Sequence, residues 1–401
     1  MTYDIDAVRA LFPGLRAGIA RFDGPGGTQM PTPVIEAITD ALSSPLSVRG
    51  SVAPGEINAE TIVRDFWRAM ADLLGAPETG IVVGRSATQL TYDFSRVLAR
   101  SWAPGDEVVV SRLDHDSNIR PWIQAADRAG AVVRWADFDP ATGELPPASV
   151  GALLTDRTRL VAVTAASNLI GTRPDVAAIA ELTHRAGALL YVDGVHLAAH
   201  AFVDVEALGA DLFVCSPYKF FGPHHGVLAA SPRLLETLRP DKLAPSTDAV
   251  PERFELGTLP YESLAGTRAA VDFIAALASA TAGDRRERLR SAFASIELHE
   301  RALCARMEEG LSQLDGVTRH SRAALRTPTM LLTFNDRGAS DAYHFLARSQ
   351  VHAPAGSFYA LEASRRLGLG DDGGLRVGLS PYNSADDVER LMAGLSAFLR
   401  S

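Results

Sequence analysis

Cysteine is nearly absent from this 401-residue chain, which has only Cys215 and Cys304. Two thiols cannot build a disulfide framework or a cysteine-rich metal site, and they suit a reducing cytoplasm. No uninterrupted apolar run approaches the roughly 20 residues that a membrane span requires. The opening MTYDIDAVRALFPGLRAGIA carries acids early, which reads against a secretory signal. An excess of basic residues is also missing. Lys and Arg number 39 against 48 Asp and Glu, a formal net charge of −9. That balance argues against nucleic acid as the main partner, because neutralising phosphates needs a basic face. The chain lacks the GxxxxGK[ST] of a nucleotide-binding loop. GPGG at 24–27 does not complete a GxGxxG fingerprint, so ATP and NAD are poorly supported. There is no internal repeat and no low-complexity segment.

What is present reads as an α/β protein. Hydrophobic residues make up 47% and charged residues 22% of a chain too long for one ordinary core. Short Val-rich runs recur at 107–113, 131–138, 159–167, 188–196, 211–217 and 225–231, each followed by polar or glycine residues. They read as buried strands. Helical patterns such as DVAAIAELTHRAG (175–187) lie between them, so a mostly parallel sheet sandwiched by helices is expected. After residue 282 the texture changes. A long charged amphipathic stretch (283–314) reads as a helix. Two strand-like runs (329–335 and 375–381) follow, and then a final helix (384–400) with Ser384 and Asp387 placed as an N-terminal cap. The expected division is a large domain over 20–282 and a smaller α+β domain built from 1–19 and 283–401.

Four features carry candidate chemistry. In DLFVCSPYKFFGPHHGVLAAS (211–231), Lys219 follows a buried strand, at the strand ends where ligands of α/β sheets gather. Desolvation there lowers a lysine's pKa toward the range where the amine attacks carbonyls. Taken alone, such a lysine more often reaches out to solvent. In YVDGVHLAAH (191–200), Asp193 ends another strand, where a carboxylate can pair with a pyridinium nitrogen or simply cap a turn. In SRLDHDSNIRPW (111–122), His115 can stack on a planar cofactor. A metal site from Asp114, His115 and Asp116 is disfavoured, since adjacent residues rarely point at one ion. GRSATQL (84–90) places Ser86, Ala87 and Thr88 at a helix start, a natural phosphate site.

In order and spacing these residues resemble fold-type I pyridoxal-phosphate enzymes of the class V aminotransferase superfamily. The resemblance is to the cysteine desulfurase-like and isopenicillin-epimerase-like branch. It runs from about residue 20 to the C-terminus through FDGPGGTQMP, LDHDSNIRPW, ASNLIGT, VDGVH, SPYKFFGP, RFELGT and GLRVGLSPYNSADDVERL. It implies a pyridoxal 5′-phosphate cofactor carried on Lys219 as a Schiff base, with Lys219 also moving the Cα proton. Asp193 would then pair with the ring nitrogen and His115 would stack on the ring. Asn168 and His196 would lie near the phenolic oxygen, and Ser86, Ala87 and Ser216 would hold the phosphate. Thr258 would reach the phosphate of a neighbouring subunit, which implies a homodimer sharing its active sites. Arg376 would clamp the carboxylate of an amino-acid substrate.

Three departures bear on the reaction. The stretch 351–369, where desulfurases carry a catalytic cysteine, has none. His196 stands where that branch has glutamine, and Tyr218 where it has histidine. The expected activity is therefore a C–S lyase acting by β-elimination on a cysteine derivative. An aminotransferase or epimerase uses the same residues. A non-catalytic binding module on this fold is the rival from another class, and visible absorbance bleached by borohydride separates it from an enzyme.

Overall fold

The computed structural model describes residues 3–278 and 282–401. Its largest unit is a seven-stranded sheet. The strand order is Ile81–Gly84, Gly226–Ala230, Leu212–Cys215, Leu189–Asp193, Thr158–Thr164, Glu107–Ser111 and Val132–Ala136. From Leu212–Cys215 to Val132–Ala136 all neighbours are parallel. Gly226–Ala230 runs antiparallel to both of its neighbours. The reason is connection length. Residues 216–225 are too few for a parallel crossover, which takes a dozen or more.

Strand periodicity sorts the valine runs onto two faces. Val109, Val161, Val163, Leu190, Val192 and Phe213 join one buried cluster with Phe66, Met70 and Val271. These last three lie on the helices Pro54–Leu74 and Tyr261–Ala276. Val108, Val110, Leu160, Ala162, Tyr191 and Val214 face the other way, against Leu90, Phe94 and Trp122. Those come from the helices Ala87–Ala99 and Arg120–Ala129. Helix starts are satisfied locally, as where the Asp175 carboxylate accepts from Ala178 N, 3.0 Å, at the head of Val176–Arg185.

The C-terminal part forms a four-stranded antiparallel sheet in the order Ala355–Gly356, Gly374–Gly378, Thr329–Phe334 and Val317–Arg319. The long helix Arg285–Ser312 opens with a capping box between Asp284 and Glu287. Its first half places Leu289, Phe293 and Ile296 in the large core. Its second half gives Leu303, Met307 and Leu311 to a smaller core with Met330, Val377, Leu391 and Phe398. One helix therefore ties the two cores together. Ala20–Arg21 pairs in parallel with Val351–His352, and Ala20 and Phe22 are buried in the smaller core. Among the described residues, no helix is long and apolar enough to cross a membrane.

Candidate active site

A cavity of about 710 Å³ opens at the carboxyl ends of the parallel strands. Every site residue expected from the sequence lines it except Thr258, which sits exposed on a bend in this single chain.

Lys219 is placed by the end of Leu212–Cys215. Pro217 offers no N–H to continue the ladder, and a single 3-10 turn, Pro217–Lys219, follows. Lys219 N donates to Ser216 O, 3.0 Å. The Lys219 ammonium donates to Pro25 O and lies 4.8 Å from the centre of the Tyr218 ring. The GPGG segment is thus a wedge over the lysine turn. Thr28 N donates to Tyr218 O, 3.0 Å, and Phe221 N donates to the Thr28 hydroxyl, 2.8 Å.

The helix start expected at Ser86 is present. Ser86 caps Ala87–Ala99, its hydroxyl accepting from Gln89 N at 3.0 Å. The N–H groups of Ala87 and Thr88, in the first turn, have no intrahelical acceptor. The strand behind comes so close that a Cβ on Gly226 would lie 2.3 Å from Ser86 C, so only glycine fits there.

Burial dominates the electrostatics. It pushes the Lys219 amine down to about 7, with the Arg376 charge adding and Asp193 opposing. It pushes the Asp193 carboxyl up to about 6, against the hydrogen bond from Val195 N (2.9 Å) and the attraction of Lys219. It pushes His115 down to about 4, helped by Lys219 and Arg376. His115 Nδ1 accepts from Ser117 N, 3.0 Å, which assigns the proton of the neutral ring to Nε2. Behind it, buried Asp114 accepts from Ser111 Oγ (2.5 Å) and Asn118 Nδ2 (2.7 Å), and Asn118 Oδ1 accepts from Trp122 Nε1 (2.9 Å). Asp114 is therefore buried and engaged by the scaffold. Among the described residues, no group of three His, Cys, Asp or Glu side chains is placed to hold a metal.

Arg376 reaches the cavity from the smaller sheet. Its Nη1 donates to Asn168 O, 3.0 Å, while its buried Nε has no partner. Burial pushes this guanidinium down to about 9. Asn168 Nδ2 donates to Phe358 O, 2.9 Å, and its buried Oδ1 is also unpartnered. His196 Nε2 lies 3.0 Å from the hydroxyls of both Thr327 and Thr329. Its burial holds the ring neutral, with the charges of His200, Lys219 and Arg376 acting in the same direction.

Several lining residues escaped sequence reasoning. The Pro25 carbonyl and Thr164 lie beside the lysine and aspartate, and Tyr92, Arg120 and Gln124 come from helices. The turn Ser357–Phe358–Tyr359 contributes two aromatic rings. Phe358 (φ 53°) and Tyr359 (φ 58°) are both left-handed, a conformation that costs about 1–2 kcal/mol per residue. Asp116 N donates to Tyr359 O, 2.7 Å, and helps hold it. The Arg376 guanidinium sits 3.6 Å from the Phe358 ring centre, and the Tyr359 ring lies 5.5 Å from His115. No motif signals this turn; only its aromatics within 351–369 hint at it.

Lys219, Asp193, the helix start at Ser86 and a buried guanidinium with one unpartnered nitrogen thus line one cavity. The unpartnered Arg376 Nε and Asn168 Oδ1 leave a donor and an acceptor free in the same space. Comparison with known proteins gives the family. Residues 21–391 match the family described as aminotransferase class-V. The chain is 30% identical over 411 residues to a probable cysteine desulfurase of Pseudomonas aeruginosa, covering 98% of this chain and 97% of that protein. It is also 30% identical over 417 residues to an aminotransferase-like protein of Gibberella zeae, covering 99% of each. The crystal structure of the cysteine desulfurase CsdA from Escherichia coli superposes with a TM-score of 0.88 at 26% identity, covering 100% of this chain and 99% of that one. The chain belongs to the aminotransferase class-V family. It is a pyridoxal 5′-phosphate enzyme with a desulfurase-like fold.

Proposed function

We propose that this enzyme is a C–S lyase that acts on a cysteine-derived amino acid. The observation that carries the reading is the state of its two thiols. Cys215 is buried in a strand and Cys304 in a helix, and burial raises both thiols above the ordinary cysteine range. The turn in 351–369 offers Phe358 and Tyr359 to the cavity, and that stretch has no thiol to accept sulfur. Sulfur leaving the substrate then departs as a free thiol.

Bound pyridoxal phosphate supplies an electron sink for the charge that develops at Cα. Lys219 would hold the cofactor. Asp193 would stabilise its protonated ring nitrogen, His115 would stack on the ring, and Asn168 and His196 would face its oxygen. Ser86, Ala87, Thr88 and Ser216 would hold the phosphate. Arg376 would orient the substrate carboxylate. Lys219, whose amine burial lowers to about 7, would in its unprotonated form take the Cα proton. The Cα–H and Cβ–S bonds break, the sulfur leaves as a thiol, and one water completes the conversion to pyruvate and ammonium. Thr258, exposed on its bend, suits contact with the phosphate of a second copy, so the active unit is proposed to be a homodimer. The unpaired thiols suit a cytoplasmic setting.

The test is incubation of the holoenzyme with cysteine S-conjugates, cysteine and common amino acids. The reading expects pyruvate and free thiol in equal amounts from the S-conjugates. Keto-acid exchange or racemisation without thiol release assigns it to the aminotransferase or epimerase chemistry instead.

A further inference from the structure

The aromatic turn has a shape that the cofactor does not explain. Tyr359 is 75% exposed and lines the cavity together with Tyr92, Ser117, Pro121 and Gln124, none of them among the residues assigned to cofactor. Its ring faces His115 across 5.5 Å. The turn is braced at consecutive carbonyls, Phe358 O by the Asn168 amide (2.9 Å) and Tyr359 O by Asp116 N (2.7 Å). Asp116 is itself fixed by Arg120 Nε at 2.8 Å, and Arg120 Nη2 reaches Glu362 at 2.6 Å, so both flanks of the turn are tied to one ion-pair chain. Two adjacent non-glycine residues kept left-handed, with one ring solvent-exposed at a cavity mouth, are strain retained at a binding edge.

We propose that Tyr359 selects the substrate's leaving group, favouring amino acids whose side chain carries a planar, apolar ring beyond Cβ over those that end in a small group. This rests on the lyase reading for the identity of the bond broken, but not for the contact itself. Phe358, under the Arg376 guanidinium, fixes the carboxylate end, and Tyr359 one residue on meets what projects outward. An offset-stacked or edge-on ring pair favours aromatic substituents beyond simple area burial.

The test compares S-benzyl-cysteine with S-methyl-cysteine on wild-type holoenzyme, Tyr359→Asn and Tyr359→Phe. Asparagine tolerates the left-handed backbone and removes the ring. The expected result is a fall of roughly five- to tenfold in the benzyl-to-methyl ratio of kcat/KM for Tyr359→Asn, carried mainly by KM, with the ratio kept in Tyr359→Phe. Calorimetric binding of 3-phenylpropanoate against propanoate reads the same preference without turnover. If no S-conjugate releases thiol, the lyase reading falls while the calorimetric ratio still decides the role of Tyr359. A ratio unchanged in Tyr359→Asn overturns the proposal, and so does an equal loss for both ligands, which marks a structural role.

Discussion

Two cavities of this protein are lined by cationic and carboxylate side chains, and they treat them differently. The second, about 420 Å³, lies between the long helix and the 324–328 segment. Its charges answer one another: Arg301 meets Glu297 at 3.1 Å, Arg326 meets Glu308, and His200 Nδ1 lies 3.0 Å from both oxygens of Glu300. In the first cavity, Lys219, Asp193 and Arg376 join no ion pair among the described residues. Both are recessed sites, so burial alone does not mark chemistry. An uncompensated buried charge costs stability and persists where a ligand completes it. The contrast separates a self-paired cluster from the candidate site.

The largest expected effect breaks the working side. Lys219→Ala should lower turnover on the order of 10³-fold or more while melting temperature and circular dichroism stay near wild type. Retained turnover shows that another group moves the proton. Arg376→Ala should lower kcat/KM for α-amino acids roughly 10- to 100-fold, mostly through KM, because a charge-assisted pair is lost. An unchanged KM removes Arg376 from the clamp.

The pH dependence sharpens the same point. In its proposed role Lys219 must be unprotonated to capture the cofactor, and its amine is held at about 7. Incorporation of pyridoxal phosphate into apoenzyme should therefore rise about tenfold per pH unit below 7 and level off above it. A lysine with an ordinary pKa would keep climbing toward about 10. Stopped-flow absorbance distinguishes the two profiles.

On the scaffold side, Glu300→Ala strips His200 of its buried acceptor. It should cost about 1–3 kcal/mol in denaturant unfolding and change turnover far less than the first two substitutions. A loss of activity as large as that of Arg376→Ala would erase the distinction between the cavities.

Much of the site was legible in the sequence. Lys219 and His115 follow buried strands and Asp193 ends one, all at one end of the sheet, and Ser86 stands one step ahead of a helix start, so local pattern located them. Arg376 was placed by the family resemblance through GLRVGLSPYNSADDVERL rather than by any periodicity. The turn at 357–360 was not legible, because left-handed Phe and Tyr go against local preference and are held by Asn168 and Asp116, both distant in the chain. The reversal of Gly226–Ala230 also had to be seen, since its run looks like its parallel neighbours until the short connection is counted.

By itself, the sequence determined the alternation of strand and helix, the position of Lys219 past a strand end, and the absence of a thiol from 351–369. Those properties reside in nearest neighbours and in residue identity. The tertiary structure decided which buried charges lack a partner, that GPGG wedges against Lys219, and that an aromatic turn lies beside Arg376 and His115. Each depends on segments far apart in the chain meeting in a low-dielectric cavity, where the strength of a charge is set by what surrounds it rather than by what precedes it.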